Sequence, residues 1–158
     1  MKIISGGQTG ADRAALDAAM ELGIPHGGWL PRGRKAEDGR LAPQYCLQEI
    51  DTYRYRDRTL KNVKESDGTL IVSFGPLTGG SALTEALCIR SDRPCLHLNM
   101  EHLSINQAVR TIEEWLVGNR IRTLNVAGPR ASSNSRIYDT VRELVRQINW
   151  NDLDSILN

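Results

Sequence analysis

Stretches with strand character and stretches with helix character alternate along the whole chain, and this alternation limits the possible folds more than any other feature. The clearest strand is Gly68-Thr69-Leu70-Ile71-Val72-Ser73-Phe74. It is nearly all apolar, as a parallel strand covered on both faces should be. Shorter strands are expected over residues 2–5, 27–30, 94–98 and 122–126. Between them, Ala11, Ala14, Ala15, Ala18, Ala19 and Leu22 recur at helical spacing. Ile105, Ala108, Val109, Ile112, Trp115 and Leu116 form one apolar stripe behind a capping Ser104, and Gly118 stops it. Polar residues 57–66, residues 82–90 and residues 134–148 read as further helices, the last burying Ile137, Val141, Leu144, Val145 and Ile148. Residues 43–50 read as a single helical turn, and residues 31–39 as a long polar loop. The pattern predicts an α/β protein: a mostly parallel sheet with helices on both faces, a three-layer α/β/α sandwich. At 158 residues the chain suits one domain, expected over 1–149. The tail 150–158 carries Leu153, Ile156 and Leu157, which can dock on its own domain or on a second copy.

Twenty basic residues against nineteen acidic ones leave a net charge of +1, which favours no polyanionic partner. Two local clusters stand out. Arg32, Arg34, Lys35 and Arg40 share one loop, whereas Arg54, Arg56, Arg58, Lys61 and Lys64 share the next segment and read as a solvated face. No apolar run approaches membrane-spanning length, so no membrane partner is expected and the cytoplasm is the expected compartment. Cys46, Cys88 and Cys95 lack metal-ligand spacing and are expected to be reduced, buried thiols. No metal site is expected.

The chemistry concentrates in three loops. Ser5-Gly6-Gly7-Gln8-Thr9-Gly10-Ala11-Asp12-Arg13 joins the first strand to its helix. A strand that stops on paired glycines and restarts as a helix can offer backbone N–H groups and a helix N-terminus to an anion. Thr78-Gly79-Gly80-Ser81 does the same after the third strand, and Arg130 and Ser132 lie in the small-residue loop after the fifth. In doubly wound sheets such loops leave one edge, so the three should meet. A Walker A loop is absent, and Ser5 replaces the first glycine of the dinucleotide fingerprint. Arg32 and Arg34 supply positive charge where a ribose-binding acid would stand, which favours a second phosphate or oxyanion and leaves NADP open.

Each of these residues also has a purely structural reading. Gly6 and Gly7 can serve a tight turn. Thr9 and Asp12 fit a capping box, Ser132 and Ser133 fit N-caps, and Glu85 fits the first turns of its helix. Arg32 and Lys35 can be surface charges.

The nine-residue stretch from Ser5 to Arg13, with Gly28-Trp29-Leu30-Pro31, Asp38-Gly39 and Thr78-Gly79-Gly80-Ser81, resembles the putative molybdenum carrier family. That family is similar to the molybdenum-cofactor carrier proteins, in a superfamily that includes the lonely-guy phosphoribohydrolases. The resemblance implies a Rossmann-like fold, self-association as a dimer or tetramer, and binding of molybdenum cofactor or molybdate. A carrier of this kind implies a molybdoenzyme as recipient. Gly6, Gly7, Gln8, Thr9, Gly10 and Arg13 would hold the phosphate, Arg32 and Lys35 the remaining charge, with Thr78, Gly79, Gly80, Ser81, Glu85, Arg130 and Ser132 completing the site. No catalytic residue is assigned under this reading. An alternative is a nucleoside 5′-monophosphate phosphoribohydrolase. Its P-G-G-x-G-T-x-x-E loop is partly matched by residues 78–85, and Glu85 would then act on the N-glycosidic bond. A third reading, a DNA-associated module, would use residues 54–64.

Overall fold

The computed structural model describes residues 1–157; Asn158, the last residue of the expected tail, lies outside the described residues. The elements in chain order are β1 (Lys2–Ile4), α1 (Ala11–Glu21), β2 (His26–Gly27), β3 (Trp29–Leu30), β4 (Lys35–Ala36), β5 (Gly39–Arg40) and β6 (Gln48–Glu49). They continue as α2 (Tyr55–Glu65), β7 (Gly68–Ser73), α3 (Gly79–Arg90), β8 (Cys95–Asn99), α4 (Ile105–Gly118), β9 (Thr123–Ala127), α5 (Ile137–Gln147) and α6 (Trp150–Leu157).

Five strands form one wholly parallel sheet in the order β2-β1-β9-β7-β8. Every residue of β7 is buried, which explains its apolar run. The last strand in sequence, β9, sits at the centre, with Asn125 opposite Ile4 on one side and Thr69 on the other. Parallel crossovers are right-handed, so α1 and α4 fall on one face and α2 and α3 on the other. The main core joins α1, α4 and α5 to the sheet through Ala14, Ala18, Leu70, Leu116, Val126 and Leu144. Val63, Leu87 and Cys88 form a smaller cluster between α2 and α3. Alanines let α1 lie close: a Cβ on Gly128 would sit 2.7 Å from that of Ala11 and 2.5 Å from the Val72 carbonyl oxygen. Helix α4 begins with the expected cap, a reciprocal box between Ser104 and Gln107. The tail docks on its own domain, where Trp150 and Leu153 enter the main core.

Several local expectations are corrected. The expected strand 27–30 is split at Gly28 (φ 127°), which passes against the backbone of Ser5. Upstream of it β2 joins the main sheet, and downstream β3 pairs with β6 instead. The expected helical turn over 43–50 therefore contains an extended pair, Gln48–Glu49, in parallel register with Trp29–Leu30. The Thr9–Asp12 capping box does not form, because Gly10 is the N-cap and Asp12 accepts from the Gln8 N–H. Helix α3 starts at Gly79, so the paired glycines are its first turn rather than the loop before it. Cys46 is exposed, while Cys88 is buried.

The expected polar loop 31–39 instead forms most of the hairpin β4–β5, and its Arg34 orders the segment that follows. Arg34 donates to the carbonyls of Leu41, Leu47, Ala42 and Tyr45 at 3.1, 3.1, 3.0 and 2.9 Å. Its fork thus replaces a secondary-structure ladder for residues 41–47. Arg34→Ala should cost about 1.5–3 kcal/mol, the range for hydrogen bonds to a charged group. Amide hydrogen exchange should accelerate over residues 39–48 and stay slow in β7 and β9. Unchanged exchange over 39–48 would refute the clamp.

Candidate functional site

Strands β1, β9 and β7 are adjacent, so the three glycine- and serine-rich loops that follow them leave one edge side by side. They enclose a cavity of about 410 Å³. Gly6 and Gln8 come from the first loop and Asp12 from the first turn of α1, Thr78 to Ser81 and Thr84 from the β7–α3 junction, and Gly128, Arg130 and Ser132 from the loop after β9. The fourth wall is helix α2, through Tyr55, Arg58, Thr59 and Asn62.

An ion pair forms one side of this cavity. Arg58 Nη1 lies 3.1 Å from Asp12 Oδ2, with both residues over nine-tenths buried. The guanidinium rests directly on Gly6, where a Cβ would stand 1.3 Å from Nη1. That contact favours glycine irrespective of any ligand. Burial pushes the Asp12 carboxyl above its ordinary value, against the opposing pull of Arg58 and of the Gln8 N–H.

The backbone of the first loop is largely engaged inside the protein. The Gly7 N–H donates to Ser5 Oγ at 3.3 Å, that of Gln8 to Asp12 Oδ2 at 3.3 Å, that of Thr9 to Gln8 Oε1 at 3.1 Å, and that of Ala11 to the Pro129 carbonyl at 3.2 Å. Arg13 reaches back to the Gly7 carbonyl at 3.2 Å and out to Asp38 at 3.0 Å. Free donors lie elsewhere. Three buried side-chain nitrogens among the described residues lack a partner, and two of them, Gln8 Nε2 and Arg58 Nε, belong to cavity-lining residues. Buried donors without partners are costly, and both of these belong to side chains in the cavity wall. Helix α3 opens on the same space with no side-chain cap on its N-terminus, and nothing stands within 4 Å of where a Cβ on Gly79 or Gly80 would be. Its first N–H groups and its dipole add positive potential there. Tyr55 stands beside two cations, with Arg58 and Arg130 at 5.7 and 5.3 Å from its ring centroid.

Of the residues expected to hold the ligand, Gly6, Gln8, Thr78, Gly79, Gly80, Ser81, Arg130 and Ser132 line this cavity. The others stand outside its lining. Gly7 (φ 70°) and Gly10 (φ 80°) are packing positions, against Leu41 and Leu47 and against the Pro129 carbonyl. Thr9 bridges the Ala131 N–H and Glu37. Arg32 faces solvent near Asp51 at 3.4 Å, and Lys35 is exposed on β4. Glu85 follows the lining residue Thr84 on α3 and lies toward the Cys88–Cys95 pair. Arg58 corrects the solvated-face reading of the second basic cluster, because it is buried. Its signal was present: Tyr55, Arg58, Thr59 and Asn62 are spaced i, i+3, i+4 and i+7, one polar stripe on one helix face.

Fold and cavity together define a Rossmann-like α/β protein whose site lies beyond the carboxyl ends of a parallel sheet. The chain belongs to the circularly permutated YpsA SLOG family (cpYpsA), which it matches over residues 3–149. A solved protein from Syntrophus aciditrophicus SB, named putative molybdenum carrier protein, is 53% identical to it. That likeness has a TM-score of 0.91 and covers 92% of this chain and 94% of the other, in keeping with the resemblance read from the sequence. No curated protein matches the chain. Among the described residues, no helix is long and apolar enough to cross a membrane.

Proposed function

We propose that this protein binds and carries a small anionic ligand bearing a phosphate or oxyanion, with molybdenum cofactor or molybdate as first candidates. The observation that carries this reading is the N-terminus of α3, without a side-chain cap, opening onto a cavity whose wall also holds Gln8 and Arg58, each with a buried, unpartnered nitrogen. Such a donor set suits an oxyanion and offers a metal no ligands. Any molybdenum is therefore held as cargo through its oxygens or through the phosphate of its cofactor. The name of the similar Syntrophus protein supports molybdenum as the element. The same reading extends to a cytoplasmic dimer or tetramer that hands its ligand to a molybdoenzyme.

The phosphoribohydrolase reading receives less support, because Glu85 is off the cavity lining and the lining carboxylate, Asp12, is tied to Arg58. The DNA reading loses Arg58 to the interior and has Lys61 paired with Glu65, leaving Arg54, Arg56 and Lys64 exposed.

Equilibrium binding of molybdate, inorganic phosphate and molybdenum cofactor to the purified protein tests the proposal. Gly80→Asp is the diagnostic variant, since it adds a negative charge at the open α3 N-terminus without a steric conflict. It should weaken binding roughly tenfold or more, as like charges in a site do, with an unchanged Tm. Failure of the unmodified protein to bind any of the three at micromolar concentration would overturn the carrier reading.

A further inference from the structure

The two-stranded hairpin β4–β5 carries Glu37 and Asp38 at its tip, and the tip is fastened to the walls of the cavity. Glu37 Oε2 accepts from Ser132 Oγ at 2.6 Å, and Oε1 accepts from the Ser132 N–H at 3.2 Å. Thr9 Oγ1 donates to the same Oε1. These hydrogen bonds, the one from Ser132 Oγ first, hold the Glu37 carboxyl below its usual range. Behind them, Gln8 Oε1 accepts the Glu37 N–H at 2.8 Å. Asp38 completes the attachment through Arg13, at 3.0 and 3.1 Å.

Two of these anchors are shared with the cavity. Ser132 lines it while holding the Glu37 carboxylate, and Gln8 lines it with an unpartnered Nε2 while its Oε1 holds the Glu37 backbone. Both carboxylate oxygens thus accept from donors that any oxyanion would also use: a backbone N–H and a hydroxyl on the loop leading into α5. Gly33 (φ 84°) and Gly39 (φ 115°) lie on either side of the tip in open space, so the backbone there can turn without a side chain to obstruct it.

We propose that Glu37 is a built-in competitor for the ligand's anionic group. Its carboxylate occupies the Ser132 donors until an oxyanion takes them over. Like-charge repulsion then expels Glu37, and the hairpin lifts on Gly33 and Gly39. Rebinding of Glu37 promotes release, which gives a carrier a way to unload. This inference rests on the anion-binding reading of the cavity and adds its regulation.

The test uses the full-length protein, with molybdate and inorganic phosphate as probes, and follows both affinity and tryptic cleavage at Lys35 and Arg40. Glu37→Gln keeps the shape and removes the charge, and it should bind the probe about tenfold more tightly. In the unmodified protein, saturating probe should speed cleavage at Lys35 and Arg40. Equal or weaker binding by Glu37→Gln, with binding by the unmodified protein intact, overturns the competitor alone. Slower cleavage of the hairpin on adding probe also overturns it. Absence of binding by both forms overturns the anion reading and the competitor together.

Discussion

Replacing Arg58 with alanine should destabilise the protein by about 3–5 kcal/mol at neutral pH, the cost of leaving one partner of a buried ion pair alone. Asp12 keeps its buried position and its Gln8 N–H but loses the guanidinium 3.1 Å away. The loss should depend on pH in a defined direction. Burial already raises the Asp12 carboxyl in the native protein, and removing Arg58 raises it further, while the unfolded chain keeps an ordinary carboxyl. Between the two values the native state binds the extra proton, so stability falls as pH rises through that window and recovers as pH is lowered. Urea unfolding at pH 7 and pH 5 should therefore show a smaller deficit for Arg58→Ala at the lower pH. A deficit that is constant or grows on acidification would show that the pair is not what holds this corner. Gly6→Ala should act in the same direction, because its Cβ would displace the Arg58 guanidinium, the flexible end of a side chain, and leave the backbone in place.

Gly28→Ala should be more damaging still. A Cβ there would stand 2.0 Å from the Ser5 carbonyl oxygen and 2.9 Å from its nitrogen, and the residue has φ 127°. Both obstacles are backbone, so no rotamer relieves them. Left-handed strain costs about 1–3 kcal/mol and overpacking about 1–3 kcal/mol more. The sum is a large part of the roughly 5–15 kcal/mol that holds a whole domain. The Gly28 carbonyl also accepts the Gln48 N–H at 2.9 Å, so the same shift should loosen the β3–β6 pair. Thermal unfolding by circular dichroism should show a collapse of Tm or no folded protein. Gly33→Ala is the control: with φ 84° and open space around it, it should lose only about 1–2 kcal/mol. Equal losses in the two variants would disprove the steric account.

The layered fold was legible because its signals are local and periodic. Alanines at helical spacing mark α1, the unbroken apolar run marks β7, and Ser104 marks the start of α4. The convergence of three loops on one edge was legible too, since in a parallel sheet the loops that follow the strands all emerge at the same end. Residues 27–50 were harder to read. Their two-residue strands are too short for any period, and Arg34, which organises them, acts through backbone carbonyls up to thirteen positions away.

The site divides in the same way. By itself the sequence determined that glycine-rich loops precede helices after β1 and β7, and that a small-residue loop follows β9. It also carried the Tyr55–Asn62 stripe in plain view. Only the tertiary structure decided which residue serves which end. A glycine beside a phosphate and a glycine beneath a buried arginine obey the same local rule, close approach without a Cβ. Nothing in residues 5–13 announces that Arg58, forty-six positions after Asp12, will lie on Gly6. That pairing is set by α2 packing against β3 and β9, and it turns the first loop into a brace, leaving the open N–H groups to α3.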